Sequence, residues 1–253
     1  MGNDGKYQTR VALIVYSIAL IASSSFFINP YLFYQQPYQC NGVQSAHCTQ
    51  HVCSLPLAQR QQYLTSPQIN SLGNNHPSYF CGGIGTVLFM EEGILVGASV
   101  GILIAIFFSD TIGRRKLMLT LLVIALVGIA LTVLVPSPWI KFIGLVLWGS
   151  GSQVTFAVSL TILIDSVADE CAPMVYTKFS CGLAIGGILN VLLFYFVKNW
   201  IYILVFYYAL IYAIILIAFF FLVESPPIEI VSHNKDPRES YNAFMRIARV
   251  NKK

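Results

Sequence analysis

Residues 117–135 read LMLTLLVIALVGIALTVLV, an apolar run of 19 residues with no charged side chain. At a rise of 1.5 Å per residue, an α-helix needs roughly 20 such residues to cross about 30 Å of hydrocarbon. A strand of a membrane barrel would alternate apolar and polar residues over about ten positions, and this run does not alternate. The stretch therefore predicts a helix that spans a lipid bilayer.

Further apolar blocks of similar length flank this one. They lie at about 11–34, 84–109, 140–164, 179–198 and 200–223. Over the 253 residues, 56% are apolar and 10% are charged, against about 25% charged in an average soluble domain. The sequence thus predicts an all-α membrane protein built as a bundle of six transmembrane helices.

The chain divides into four predicted segments around these blocks. They are an amino-terminal segment with the first helix (1–34), an outer cysteine-bearing loop (35–83), helices two to six (84–223) and an inner-face tail (224–253). In the tail, Asp236 and Glu239 bracket Pro237 as a capping box. The residues that follow predict an amphipathic helix lying on the membrane surface.

Basic residues are distributed unequally between the two ends of the predicted bundle. If both termini share one side, twelve of the fifteen Lys and Arg residues lie there, and the exceptions are Arg60, Lys141 and Lys198. The positive-inside rule then predicts both termini on the cytosolic or matrix side. The chain has no Asn-x-Ser/Thr sequon, which slightly favours the mitochondrial inner membrane over the plasma membrane.

The outer loop contains Cys40, Cys48, Cys53 and Cys81. Two disulfides, in one of three pairings, are the simpler interpretation and imply an oxidising compartment. A zinc site made by Cys48 and Cys53 with His47 and His51 is the alternative, although the spacing matches no standard zinc pattern.

Small and polar residues interrupt several of the apolar blocks. Glycines recur at four-residue intervals in the second helix (Gly93, Gly97, Gly101) and in the fifth (Gly182, Gly186), which predicts close helix packing at matching places of two inverted three-helix repeats. In the fourth helix, polar side chains either line a pathway or hydrogen-bond to neighbouring helices. These candidate cavity residues are Gln153, Thr155 and Ser159.

The connection between helices two and three reads Ser109-Asp110-Thr111-Ile112-Gly113-Arg114-Arg115-Lys116. It resembles the signature loop of the major facilitator superfamily. Together with the cysteine-bearing loop and Glu224-Ser225-Pro226 after helix six, it is similar to the organic ion transporter branch. The resemblance covers the amino-terminal half of such a transporter and implies one half of its fold, a 3+3 inverted repeat.

On physical grounds the signature loop is a candidate latch on the inner face. Its basic residues can reach the acids that end helices four and six, although topology alone also explains these cations. The candidate latch residues are Asp110, Gly113, Arg114, Arg115, Asp165 and Glu224. Ile106, Thr111 and Pro227 depart from the family pattern.

Two functions follow from these observations. The first is a transporter-derived half that acts as a structural accessory subunit of a larger membrane complex, in the mitochondrial inner membrane or respiratory chain. The alternative is a secondary transporter of small organic ions, formed by two six-helix halves or represented here by a truncated gene model.

No carboxylate pair, metal triad or Ser-His-Asp set predicts an enzyme. We therefore expect no cofactor, metal or nucleic acid. The expected partners are the lipid bilayer and either other membrane subunits or a second six-helix half.

Overall fold

The structure, a computed structural model, describes residues 6–34, 39–40, 46–56, 59, 61–63, 70–72, 90–166, 172–223 and positions 241, 245 and 248. Six long helices contain most of them. We number these α1 (Lys6–Phe27), α2 (Gly93–Ile112), α3 (Arg114–Leu134), α4 (Pro138–Ser166), α5 (Ala172–Val197) and α6 (Trp200–Leu222). Within α6, Ile203–Ala209 is π-helical. Short helical turns lie at Asn29–Leu32, Ala46–Ser54 and Gln61–Tyr63.

The described helices agree with the predicted bundle, but several begin earlier than the apolar blocks. α1 starts at Lys6 rather than near residue 11, α3 at Arg114 rather than 117, and α5 at Ala172 rather than 179. The added residues include Lys and Arg side chains, because a helix continues as long as its backbone hydrogen bonds do and need not end with the apolar block. In the tail, the described positions Tyr241, Met245 and Ala248 are helical.

Five of these helices are long and apolar enough to cross a membrane: α1, α3, α4, α5 and α6. The apolar part of α2, Gly93–Ser109, is shorter, and residues 84–89 of its predicted span lie outside the described residues. Large apolar side chains point outward from the bundle, such as Phe107 and Phe221. Such a surface suits lipid rather than water.

The helices pack in an order that differs from their order in the chain. α2, α4, α1 and α5 follow one another in space, and we call this the central row. α3 packs on α4, α6 packs on α1, and α3 and α6 contact each other. The second helix of each three-helix repeat thus packs on the first helix of the other repeat, and the two contacts correspond to each other as they do in an inverted repeat.

Glycines allow two pairs of helices in the central row to pack closely, α2 with α4 and α5 with α1. A Cβ at Gly97 of α2 would overlap the carbonyl oxygen of Val146, and one at Gly186 of α5 would overlap that of Leu20. The first contact joins α2 to α4 and the second joins α5 to α1. The prediction that the glycines serve helix packing is therefore confirmed.

At the end of the bundle opposite Arg114, part of the outer loop is attached to the helices. The Asn70 N–H donates to the Lys198 carbonyl (2.8 Å), and the Trp200 N–H donates to the Asn70 carbonyl (3.0 Å). The buried Lys141 holds its ammonium group 5.1 Å from the centre of the Trp200 ring. A disulfide joins Cys40 to Cys48.

The disulfide bonding of the outer-loop cysteines argues against a zinc site, the alternative interpretation of this loop. Cys53 is disulfide-bonded as well, so neither Cys48 nor Cys53 offers the thiolate that zinc needs. Cys81 lies outside the described residues. Within the described part of the chain, no group of three or more His, Cys, Asp or Glu could hold a metal ion.

Candidate functional site

Gly113 forms the turn between α2 and α3, directly before the basic residues of the signature loop. Gly113 has a φ of 93°, a conformation that L side chains rarely adopt and glycine adopts easily. Because the chain reverses direction at this residue, Arg114 becomes the first residue of α3. The glycine predicted for the latch is thus the residue that makes the turn.

Arg114 forms an ion pair with Asp165, in the last turn of α4. The two side chains are 30% and 25% exposed, so both are largely withdrawn from solvent. The carboxylate lies near the positive amino terminus of α3, and the guanidinium lies near the negative carboxyl terminus of α4. Both helix dipoles therefore add to the attraction between the charges.

Arg115 attaches the start of α3 to a third helix. Its guanidinium donates to the carbonyl oxygen of Phe220 in the last turn of α6, at 3.0 Å. Carbonyl groups at a helix end lack partners within the helix, so a cation there satisfies one of them. The side chain of Asp110 and the whole of Glu224, both predicted for the latch, lie outside the described residues.

A groove of about 150 Å³ lies between α2 and α4, toward the end of the bundle that holds the ion pair. Its wall is apolar except for two hydroxyl groups, those of Ser109 and Thr161. The lining residues are Ile102, Ala105, Ile106 and Ser109 of α2, and Val154, Ala157, Val158 and Thr161 of α4. Asp165 follows Thr161 by four residues, so the groove leads toward the ion pair.

The polar residues predicted to line a cavity in α4 do not line this groove. Thr155 and Ser159 are fully buried, and the Ser159 hydroxyl donates to the carbonyl of Phe156 at 2.8 Å. Gln153 is half-buried, and its side-chain amide donates to the Ala22 carbonyl of α1 at 3.0 Å. Residues 155 and 159 share one helix face, whereas Ala157 and Thr161 share another.

Comparison with known proteins agrees with this architecture. The family model described as Major Facilitator Superfamily matches residues 70–252, which is more than half of the chain. The chain belongs to the Major Facilitator Superfamily. No curated protein matches it.

Membership of the Major Facilitator Superfamily bears on the function of the chain as well as on its helix arrangement. Proteins of this family are transporters rather than enzymes. The match begins in the outer loop and includes α2 to α6. α1 precedes the matched range, yet it packs against α4, α5 and α6, so it is an integral part of the same bundle.

A buried polar cluster in this facilitator bundle was not predicted from the sequence. The Tyr208 hydroxyl of α6 lies 3.0 Å from the Ser24 hydroxyl of α1 and donates to the Asn190 side chain of α5 at 3.1 Å. All three residues are fully buried. An Asn in the middle of an apolar block was the available signal, because a polar group at membrane depth needs a partner.

Proposed function

We propose that the chain forms one half of a secondary transporter for small organic ions, working with a second six-helix half. The observation that carries the proposal is the central row, in which α1 and α4 lie side by side between α2 and α5. Carriers of this kind move one half against the other around a site at the membrane midplane. The organic ion class rests on the resemblance of the signature loop and the cysteine-bearing outer loop to that branch.

Within this row, we assign to the groove between α2 and α4 the role of binding the substrate or contacting the opposing six-helix half. Its apolar wall would accept the hydrocarbon part of an organic ion, and Ser109 and Thr161 offer hydroxyl groups. The Arg114–Asp165 pair at the groove's end would then act as a latch, holding α3 and α4 together in one of the two transport states.

Uptake into liposomes tests this proposal. The chain would be purified in mild detergent with whatever accompanies it, and reconstituted with a radiolabelled quaternary ammonium ion or a radiolabelled aromatic carboxylate outside. Ala157→Trp fills the groove and should abolish uptake, whereas Val127→Trp on the outward face of α3 should not. If wild type and Ala157→Trp take up the labels equally, the groove has no role in uptake. If wild type takes up neither label, the proposal that the chain transports small organic ions is wrong.

A structural accessory subunit of a larger membrane complex is the second candidate. It is favoured by Gln153, whose side-chain amide joins α4 to α1 instead of lining the groove, and by Ser159, whose hydroxyl bonds to the Phe156 carbonyl of its own helix. Under this hypothesis the complex lies in the mitochondrial inner membrane, with both termini in the matrix. Recovery of the tagged chain in the plasma membrane, or alone as a monomer or homodimer in mild detergent, would contradict it.

A further inference from the structure

The segment that follows α6 presents an apolar stripe that the bundle does not cover. Its described positions Tyr241, Met245 and Ala248 are helical. They are spaced by four and three residues, so they share one face of the helix. Tyr241 is 63% exposed and Met245 is 36% exposed. An apolar helix face left open in this way is typical of a helix that binds a surface outside its own bundle.

Positive charge is concentrated in the sequence around this stripe. Residues 235–253 contain six Lys and Arg residues but only two acids, Asp236 and Glu239. Their net charge of +4 equals the formal net charge of the whole chain, so the rest of the protein is neutral as a whole. Arg246 and Arg249 each follow a stripe residue by one position, which predicts that they flank the stripe along the helix.

The segment emerges at the end of the bundle that holds the Arg114–Asp165 pair. Arg115, at the start of α3, donates to the Phe220 carbonyl in the last turn of α6, and α6 ends at Leu222. Charged side chains at the ends of spanning helices mark the level where those helices leave the hydrocarbon. The segment that carries the stripe therefore starts at a membrane surface.

We infer that the stripe of Tyr241, Met245 and Ala248 docks on a bilayer surface that contains anionic lipids. The apolar side chains of such a helix enter the boundary between headgroups and acyl chains, while Lys and Arg beside them contact the anionic headgroups. Zwitterionic lipids would use only the apolar stripe and leave the excess positive charge unmatched. The inference names the lipid class for the surface helix that the sequence predicts, and it does not depend on transport.

Fluorescence of the full chain in lipid nanodiscs tests the inference. Met245→Cys would carry an environment-sensitive label, with Cys171 and Cys181 replaced by Ser. Adding phosphatidylserine to phosphatidylcholine nanodiscs should shift the emission of the label to the blue and protect it from the neutral quencher acrylamide, and high salt should reverse both changes. Emission and quenching that are the same in the two lipid compositions would overturn the inference. A label that stays open to acrylamide in both would leave the stripe to a protein partner instead.

Substitutions that each remove one positive charge give a second, matched test. Arg246→Gln and Arg249→Gln should each lower the ratio of docked to free helix, read from the label, roughly fivefold. Lys198→Gln removes a charge at the opposite end of the bundle, where Asn70 is attached, and should leave the ratio unchanged. Because the stripe is not part of the buried core, all three variants should keep the melting temperature of the labelled parent. Equal ratios in the three variants would refute the role of charge in docking.

Discussion

Removal of the Arg114 side chain tests whether the ion pair between Arg114 and Asp165 holds the bundle together. Arg114→Ala leaves the Asp165 carboxylate without its partner, at 25% exposure. Loss of one partner costs about 3–5 kcal/mol for a fully buried pair and roughly 0.2–1 kcal/mol for an exposed pair. Because both side chains are largely but not fully buried, we expect a loss of about 2 kcal/mol in the free energy of unfolding.

The measurement is equilibrium unfolding in mixed micelles, as a double-mutant cycle of Arg114→Ala, Asp165→Ala and the double variant. The double variant should be more stable than the sum of the single effects predicts, with a coupling of about 1–2 kcal/mol. Lys116→Ala is the control, because it removes an exposed cation two residues away. Additive effects, or a loss for Arg114→Ala no larger than that for Lys116→Ala, would refute the latch.

Three further predictions concern packing, orientation and redox state. Gly97→Ala should destabilise the bundle by about 1–3 kcal/mol, because its Cβ would overlap the Val146 carbonyl oxygen; a thermal unfolding curve that coincides with that of wild type would contradict this. A thiol reagent added outside sealed cells or mitoplasts should label Lys198→Cys but not Lys116→Cys, and the reverse pattern would invert the predicted topology. Alkylation without reductant followed by mass spectrometry should leave Cys40 and Cys48 unmodified but modify Cys181, which is exposed and free.

The fold was largely predictable from the sequence because lipid limits the possibilities. A backbone in hydrocarbon must satisfy its own hydrogen bonds, so a long apolar block is almost necessarily a helix. The positions of Gly97 and Gly186 also indicated where helices come close. The order α2, α4, α1, α5 could not be obtained from these blocks, since each helix is apolar on nearly every side and its buried face carries no periodic signal.

The candidate site was only partly predictable, for a related reason. Arg114 and Asp165 were identified because charges in an apolar chain are few and must be paired or placed at the membrane surface. Tyr208 was missed because tyrosine is common at membrane interfaces as well as in buried networks. The sequence does not show that a π-helical segment, Ile203–Ala209, immediately precedes Leu210 and alters the register of α6.

The two faces of α4 separate the residues that stabilise the bundle from those that would select a substrate. Thr155 and Ser159 are buried on one face, and Gln153 is already bonded to α1, so substitutions there should change stability first. Ala157 and Thr161 line the groove, and their side chains make no interhelical hydrogen bond among the described residues. If this bundle transports, specificity should therefore follow the groove residues; if it is an accessory subunit, the same substitutions should change only what co-purifies with it.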